Sequence, residues 1–203
     1  MTYANHFGAY RKILCRLLDH DPSMFMLPRD SRIADIGCGY GDLLRTLHGR
    51  GYTNLLGVEP DPVCRARAHF DVSPGTIEAT GLDRESIDAV IVNNVFHHVG
   101  DYGAAIAELS RVLKPGGVLC FIEPLDTVWR LGMDFLTFET PLRFLPGVSA
   151  RHSVMSLEME TGLYPKWLRE QAEFHRDVSE RFERLWLKPG WLFQFGKYCK
   201  HQL

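Results

Sequence analysis

A chain of 203 residues has room for one domain with a buried core, and its net charge of −2, without a Lys/Arg block, argues against nucleic acid or an anionic membrane as the principal partner. With 45% hydrophobic and 24% charged residues the composition is that of an ordinary globular protein, and no stretch approaches the roughly 18 apolar residues of a membrane span. Five scattered cysteines (Cys15, Cys38, Cys64, Cys120, Cys199) without a CxxC pair argue against a disulfide framework or a metal site, and MTYANHFGAYRK lacks an apolar leader core, so a cytoplasmic location is expected.

Tyr3, Phe7, Tyr10, Leu14 and Leu17 recur at spacings of three and four, which predicts an amphipathic helix over 3–18 within an N-terminal helical segment, 1–27. Pro28 and Asp30 break the chain before a first strand, Arg32–Ile36. Gly37-Cys38-Gly39-Tyr40-Gly41 then turns it into a helix carrying Leu43, Leu44 and Leu47, ended by Gly49 and Gly51. Strand two, Leu55–Glu59, stops at Pro60 and Pro62; a short helix over Val63–Phe70 leads to a third strand, Thr76–Ala79. The fourth, Ala89–Val95, is a continuous apolar run suited to burial on both faces. A helix over Tyr102–Leu113 sets Ile106, Leu109 and Leu113 on one side, stops at Pro115-Gly116-Gly117, and precedes strand five, Val118–Ile122. Strands alternating with helices at this spacing predict an α/β fold, an open parallel sheet with helices on both faces.

After Glu123 the alternation stops. Residues 125–175 are rich in Trp, Phe, Leu and Met and punctuated by Pro141, Pro146 and Pro165. Structureless loops of ~50 residues are uncommon in a compact domain. The segment is therefore read as an inserted helical lid, with helices near Thr127–Phe138 and Lys166–Asp177. Arg181–Leu187, Lys188-Pro189-Gly190 and Trp191–Tyr198 predict a closing β-hairpin on the sheet edge, and residues 1–203 together read as a single domain.

In open α/β sheets ligands sit outside the carboxyl ends of the strands, which nominates Asp35–Gly41, Glu59, Glu78, Asn93–His98 and Glu123 as one rim. Glycines in the turn after strand one let backbone N–H groups approach a ligand closely. Asp35, just before that turn, would repel a phosphate and attract an ammonium group. Asp42 also stands where a dinucleotide GxGxxG turn needs its third glycine, which counts against a nicotinamide oxidoreductase. Glu59, ending strand two, can accept two hydrogen bonds from a ribose diol.

DIGCGYG, VEPD with its acid 20 positions after Gly39, IDAVIVNNVFHHV and LKPGGVLCFIEP occur in that order. Together they resemble the class I S-adenosylmethionine-dependent methyltransferases, in particular the small-molecule branch with the ubiquinone-pathway and sugar O-methyltransferases. The resemblance runs from about Tyr10 to Pro124 and resumes at the hairpin. It implies a Rossmann-like, mostly parallel seven-stranded sheet, with S-adenosyl-L-methionine as cofactor and S-adenosyl-L-homocysteine as product. Asp35 and the Gly37, Cys38 and Gly39 backbone then bracket the methionine portion, and Glu59 with Pro60 meets the ribose. Glu78 and Ala79 lie where the adenine amino group is read, although the family more often carries aspartate at that acidic position. Asn94 lines the methionine side, and Tyr10 closes the N-terminal helix over the cofactor.

Methyl transfer is an in-line displacement for which alignment and proximity supply much of the acceleration. A hydroxyl acceptor also needs a positioned base. His97, His98 and Glu123 are the candidates, with one histidine structural and Glu123 an orienter or a base. The lid offers Trp129, Arg143, Arg151, His152 and His175, while Phe135, Phe138, Phe144 and Leu145 either line an apolar pocket or bury the lid. The expected acceptor is a small molecule, apolar or aromatic, methylated at oxygen. The alternative is an inactive or repurposed S-adenosylmethionine-binding protein. No Asn/Asp-Pro-Pro-Tyr run for a flipped base follows strand four.

Overall fold

The computed structural model describes residues 26–141, 145, 148, 149, 152, 155, 156 and 159–202. Seven strands form one sheet: β1 (Ile33–Ile36), β2 (Leu55–Val58), β3 (Val72–Ser73), β4 (Ile87–Asn93), β5 (Leu113–Pro124), β6 (Phe182–Pro189) and β7 (Phe193–Lys200). Their order is β3-β2-β1-β4-β5-β7-β6, parallel through the first five, with β7 antiparallel between β5 and β6. The strand order reverses between β1 and β4, so the crevice of this fold opens outside their carboxyl ends. The expected mostly parallel seven-stranded sheet and its closing hairpin are both present.

The central strands are buried on both faces, which is why they read as unbroken apolar runs. On one face Ile36, Val58, Val90, Val92 and Phe121 pack with Ile106 and Leu109 of α3 (Tyr102–Val112). On the other, Ile33, Ile91, Cys120 and Ile122 pack with Leu43 and Leu47 of α1 (Asp42–Gly49). Asp61 caps α2 (Pro62–Arg67) by accepting from the Val63 N–H, and Asp101 caps α3 by accepting from that of Ala104. Pairing of β5 with β4 becomes regular at Val118, after the excursion through Pro115-Gly116-Gly117.

Three expectations need correction. The third strand is Val72–Ser73, paired with β2, whereas Thr76–Ala79 closes a tight turn through mutual N–H to carbonyl bonds of 3.2 Å. Two residues are too few to show alternation, and Pro74-Gly75 end the pairing before Thr76. The helix expected over Val63–Phe70 ends at Arg67, where Ala68 is already extended.

The third correction concerns residues 125–175. Both expected helices exist, as α4 (Val128–Phe138) and α5 (Leu163–Arg181), but they are of different kinds. Trp167, Phe174 and Val178 of α5 are fully buried in the sheet core. The Trp167 indole N–H and the Gln171 amide donate to the Pro124 carbonyl at 2.8 and 3.0 Å. α5 is therefore a helix of the fold rather than of a lid. Pro165 lies in its first turn, where a missing N–H costs nothing, so this proline belongs to a helix start. α4 instead leaves Trp129, Leu131 and Phe135 largely exposed, with Trp129 stacked on Trp191 of the hairpin. The helix expected over 3–18 with Tyr10, and Arg143, Phe144 and Arg151, lie outside the described residues. No helix among the described residues is long and apolar enough to cross a membrane.

Candidate active site

The turn after β1 holds Gly37, Gly39 and Gly41 at φ of 74°, 52° and 73°, a region that favours glycine. A Cβ on Gly37 would stand 2.4 Å from a Val95 methyl, so this turn lies directly against the one that follows β4. The Gly37 and Cys38 N–H groups donate to the Val58 carbonyl at 2.7 and 3.2 Å and fasten the turn to β2. Gly37→Ala adds an unfavourable φ and an overlap with Val95. A loss of about 2–3 kcal/mol is expected in denaturant melts, and unchanged stability would show that the two turns move apart freely. The Cys38 side chain fills the space over Gly57, and burial, with Asp35 and Glu59 nearby, pushes its thiol up. Cys38 is thus a neutral packing group.

Two carboxylates flank this turn. Asp35 is 2% exposed, and burial, reinforced by the charge of Glu59, raises its pKa from the ordinary 3.8 to about 8. A buried carboxyl group in that state suits a ligand bringing a cation, such as an α-ammonium group. Glu59, also buried, accepts from the Gly39 N–H and the Asp61 N–H, each at 2.9 Å. Those bonds tie the glycine turn to the exit of β2, and the remaining lone pairs can serve a diol. Arg65 donates to the carbonyls of Glu59 and exposed Pro60, at 2.6 Å each, and sets the direction of that exit. The Thr76–Ala79 turn leans on the same place, since a Cβ on Gly75 would stand 2.9 Å from a Val58 methyl. In it Glu78 is half-buried and Ala79 exposed.

Across the crevice, Asn94 adopts φ 56°, and its amide donates to the Asn93 side-chain oxygen at 2.8 Å. Phe96–His98 then form a single 3-10 turn, and the N–H groups of Val95, Phe96 and His97 point at Glu123. Glu123 is fully buried: Oε1 accepts from the N–H of Val95 and Phe96 at 2.7 and 2.8 Å, and Oε2 lies 2.8 Å from His97 Nδ1. An acceptor at Nδ1 fixes the neutral imidazole as the Nδ1–H tautomer, leaving the lone pair on Nε2. His97 is 3% exposed, with the Tyr164 ring edge-on at 5.6 Å and the His98 ring at 4.0 Å. His98 is exposed. Glu123 thus has both oxygens engaged and no solvent contact.

The bonds Gly39–Glu59 and Val95–Glu123 and the Gly37–Val95 contact therefore join Asp35, Gly37, Cys38, Gly39, Glu59, His97, His98 and Glu123 in one site. His175 belongs elsewhere: its ring nitrogens pair with Gln194 and Tyr198 at 2.7 and 3.1 Å, and burial lowers its pKa. His152 packs against Phe138, and Arg130 is buried between Asp126 and Asp134. The sequence reading included Val95 in the rim but missed Tyr164 as a site neighbour. Tyr164, Trp167 and Phe174 follow helical spacing, which signals a buried face but not its closeness to His97.

A family described as "Methyltransferase domain" matches residues 34–121, a span that contains both turns and Glu59. The chain belongs to the class I S-adenosylmethionine-dependent methyltransferase family. This family member is 30% identical over 148 residues to a ubiquinone biosynthesis O-methyltransferase of Azorhizobium caulinodans, covering 68% of this chain and 58% of that one. The chain thus spans less than three fifths of the length of the curated relative it matches. Among solved structures, a putative S-adenosyl-L-methionine-dependent methyltransferase of Methanococcus maripaludis superimposes with a TM-score of 0.65 at 15% identity, covering 97% of this chain and 88% of that one. Geranyl diphosphate methyltransferase in complex with S-adenosylmethionine gives 0.60 at 16% identity, covering 96% and 85%. At these identities the likeness is one of fold.

Proposed function

We propose that the protein transfers the methyl group of S-adenosyl-L-methionine to a hydroxyl of a small organic acceptor. The observation that carries this reading is the pair of buried carboxylates around the glycine turn, Asp35 with no matching cation charge among the described residues and Glu59 bonded to the Gly39 N–H. Asp35 would hold the ammonium group, the Gly37–Gly39 backbone the amino-acid end, Glu59 the ribose, Glu78 and Ala79 the adenine, and Asn94 the methionine side. The cofactor supplies a methyl group activated by its sulfonium. The chain aligns the acceptor oxygen with it and removes the hydroxyl proton. Exposed His98 receives that proton, and His97, held by Glu123, fixes the turn that presents His98. Transfer to oxygen is supported by the name of the Azorhizobium relative. An apolar or aromatic acceptor is supported by the exposed Trp129, Leu131 and Phe135 on α4, which starts four residues after Pro124.

Calorimetric titration tests the reading. Binding of S-adenosylhomocysteine but not NAD is expected, with affinity lost by at least about 30-fold in Glu59→Ala. Formation of S-adenosylhomocysteine from a panel of phenols and sugars then reports turnover. NAD binding, or no binding of S-adenosylhomocysteine, would overturn the proposal. Bound cofactor with no turnover across the panel would favour a repurposed cofactor-binding protein.

A further inference from the structure

We infer that Glu108 on α3 is a positioning residue for the adenosine half of the cofactor, because it holds the Thr76–Leu82 turn against the end of β2. The inference rests on the function proposed above, and the residues that carry it lie outside the glycine and histidine turns. Apart from the Thr76–Ala79 bridge, residues 74–86 have no strand or helix to shape them. One carboxylate holds the middle of this segment, while the N–H groups of Glu85 and Ser86 donate to the Arg111 and Val112 carbonyls at its end. Glu108 Oε1 accepts from both the N–H and the hydroxyl of fully buried Thr80, at 2.9 and 2.5 Å. The Thr80 hydroxyl oxygen in turn accepts from the Leu82 N–H at 3.2 Å.

Arg111, one turn along α3, completes the clamp. Its Nε donates to Glu108 Oε2 at 2.6 Å, and its Nη2 donates to Oε1 at 2.8 Å and to the Leu82 carbonyl at 2.7 Å. Such charge-assisted, forked bonds fix direction as well as distance. The Arg111 guanidinium, with Thr80 adding to it, holds the Glu108 carboxyl at about 2 despite burial, so it stays an acceptor at any working pH. Ile77 plants the other end of the turn in the core.

The consequence for the site is geometric. Gly75 touches Val58 and the Ala79 and Thr80 carbonyls so closely that its Cβ position lies 2.8–2.9 Å from them. The turn and the end of β2, with Glu59 just beyond, therefore form one wall. The rest of the site is fastened by other bonds: the glycine turn by the Val58 carbonyl, and the His97 turn by Glu123. Loosening Glu108 should thus move the wall beside Glu59 and leave Asp35 and His97 in place.

The test uses the full chain, with S-adenosylhomocysteine and 5′-methylthioadenosine, which carries the adenosine half alone. Glu108→Ala is expected to weaken both ligands about tenfold or more. Glu108→Gln, which keeps an oxygen for Thr80, should stay within about threefold of the parent. Amide exchange at Ile77–Leu82 should quicken in Glu108→Ala, while β1 and β4 stay protected. Parent-like affinity in folded Glu108→Ala, or equal losses in the Ala and Gln variants, overturns the inference. Should Glu108→Ala fail to fold, Thr80→Val removes the hydroxyl bonds alone, and parent-like affinity there overturns it equally. A parent protein that binds neither ligand refutes the methyl-donor reading, and the exchange measurement still decides whether Glu108 holds the turn.

Discussion

Affinity for S-adenosylhomocysteine is expected to rise about tenfold per pH unit between pH 6 and 8 and to level off above. The cause is Asp35. In the free protein burial and the Glu59 charge raise its pKa to about 8, so below that pH the carboxyl group carries a proton. An ammonium ligand needs it ionised, so binding must expel the proton. Calorimetry in buffers of different ionisation heat should count close to one proton released near pH 6.5. The sign for stability is the reverse of the usual carboxylate case. Between about pH 4 and 8 the folded state binds the proton and the unfolded state does not. Stability of the unliganded protein therefore falls as pH rises through that window, by up to ~1.4 kcal/mol per pH unit. Asp35→Asn should remove both slopes, melting higher than the parent at pH 8 while losing most ligand affinity. A flat pH profile in the parent would remove Asp35 from the site.

Truncating Glu123 has the second large effect. Glu123→Ala leaves the N–H groups of Val95 and Phe96 and the His97 Nδ1–H without their acceptor in a region closed to water. With each unsatisfied donor costing ~1–3 kcal/mol, a loss of about 3 kcal/mol or more is expected, or a melting temperature lower by about 6–12 °C. Glu123→Gln keeps one oxygen for the two backbone donors and should cost ~1 kcal/mol or less. Its amide group would face His97 Nδ1 and drive that ring to the Nε2–H tautomer. Turnover should fall about 10²–10⁴-fold in His98→Ala and only about tenfold in Glu123→Gln. A loss in Glu123→Gln as deep as in His98→Ala would make His97 Nε2 the proton acceptor instead.

The sheet was legible because its central strands are buried on both faces, which leaves few alternatives for an apolar run such as Ala89–Val92, although that strand ends at Asn93 rather than at the expected Val95. The hairpin was legible from Lys188-Pro189-Gly190. β3 was not, because a two-residue strand carries no periodicity and Thr76–Ala79 imitates one. The lid reading failed at α5 for a different reason. Pro165 looks like a break in the chain, and only packing shows that it opens a helix whose Trp167 and Phe174 complete the core.

Residue types and spacing by themselves determined that a glycine turn between Asp35 and a distant acid, Glu59, would receive an ammonium-bearing ligand rather than a phosphate, since the charges next to the turn are local in sequence. They also placed His97, His98 and Glu123 on the same rim, through the rule that ligands sit at carboxyl strand ends. They could not divide the labour among these three. Tertiary structure set their surroundings apart: it enclosed Glu123 among backbone donors, set His97 against it and left His98 exposed, the difference on which the proposed roles rest. It also brought Glu108 to Thr80, 28 positions away, a pairing with no local signature. Hydrogen-bond partners supplied by other strands and helices depend on how the elements dock, and no periodicity along one element records that.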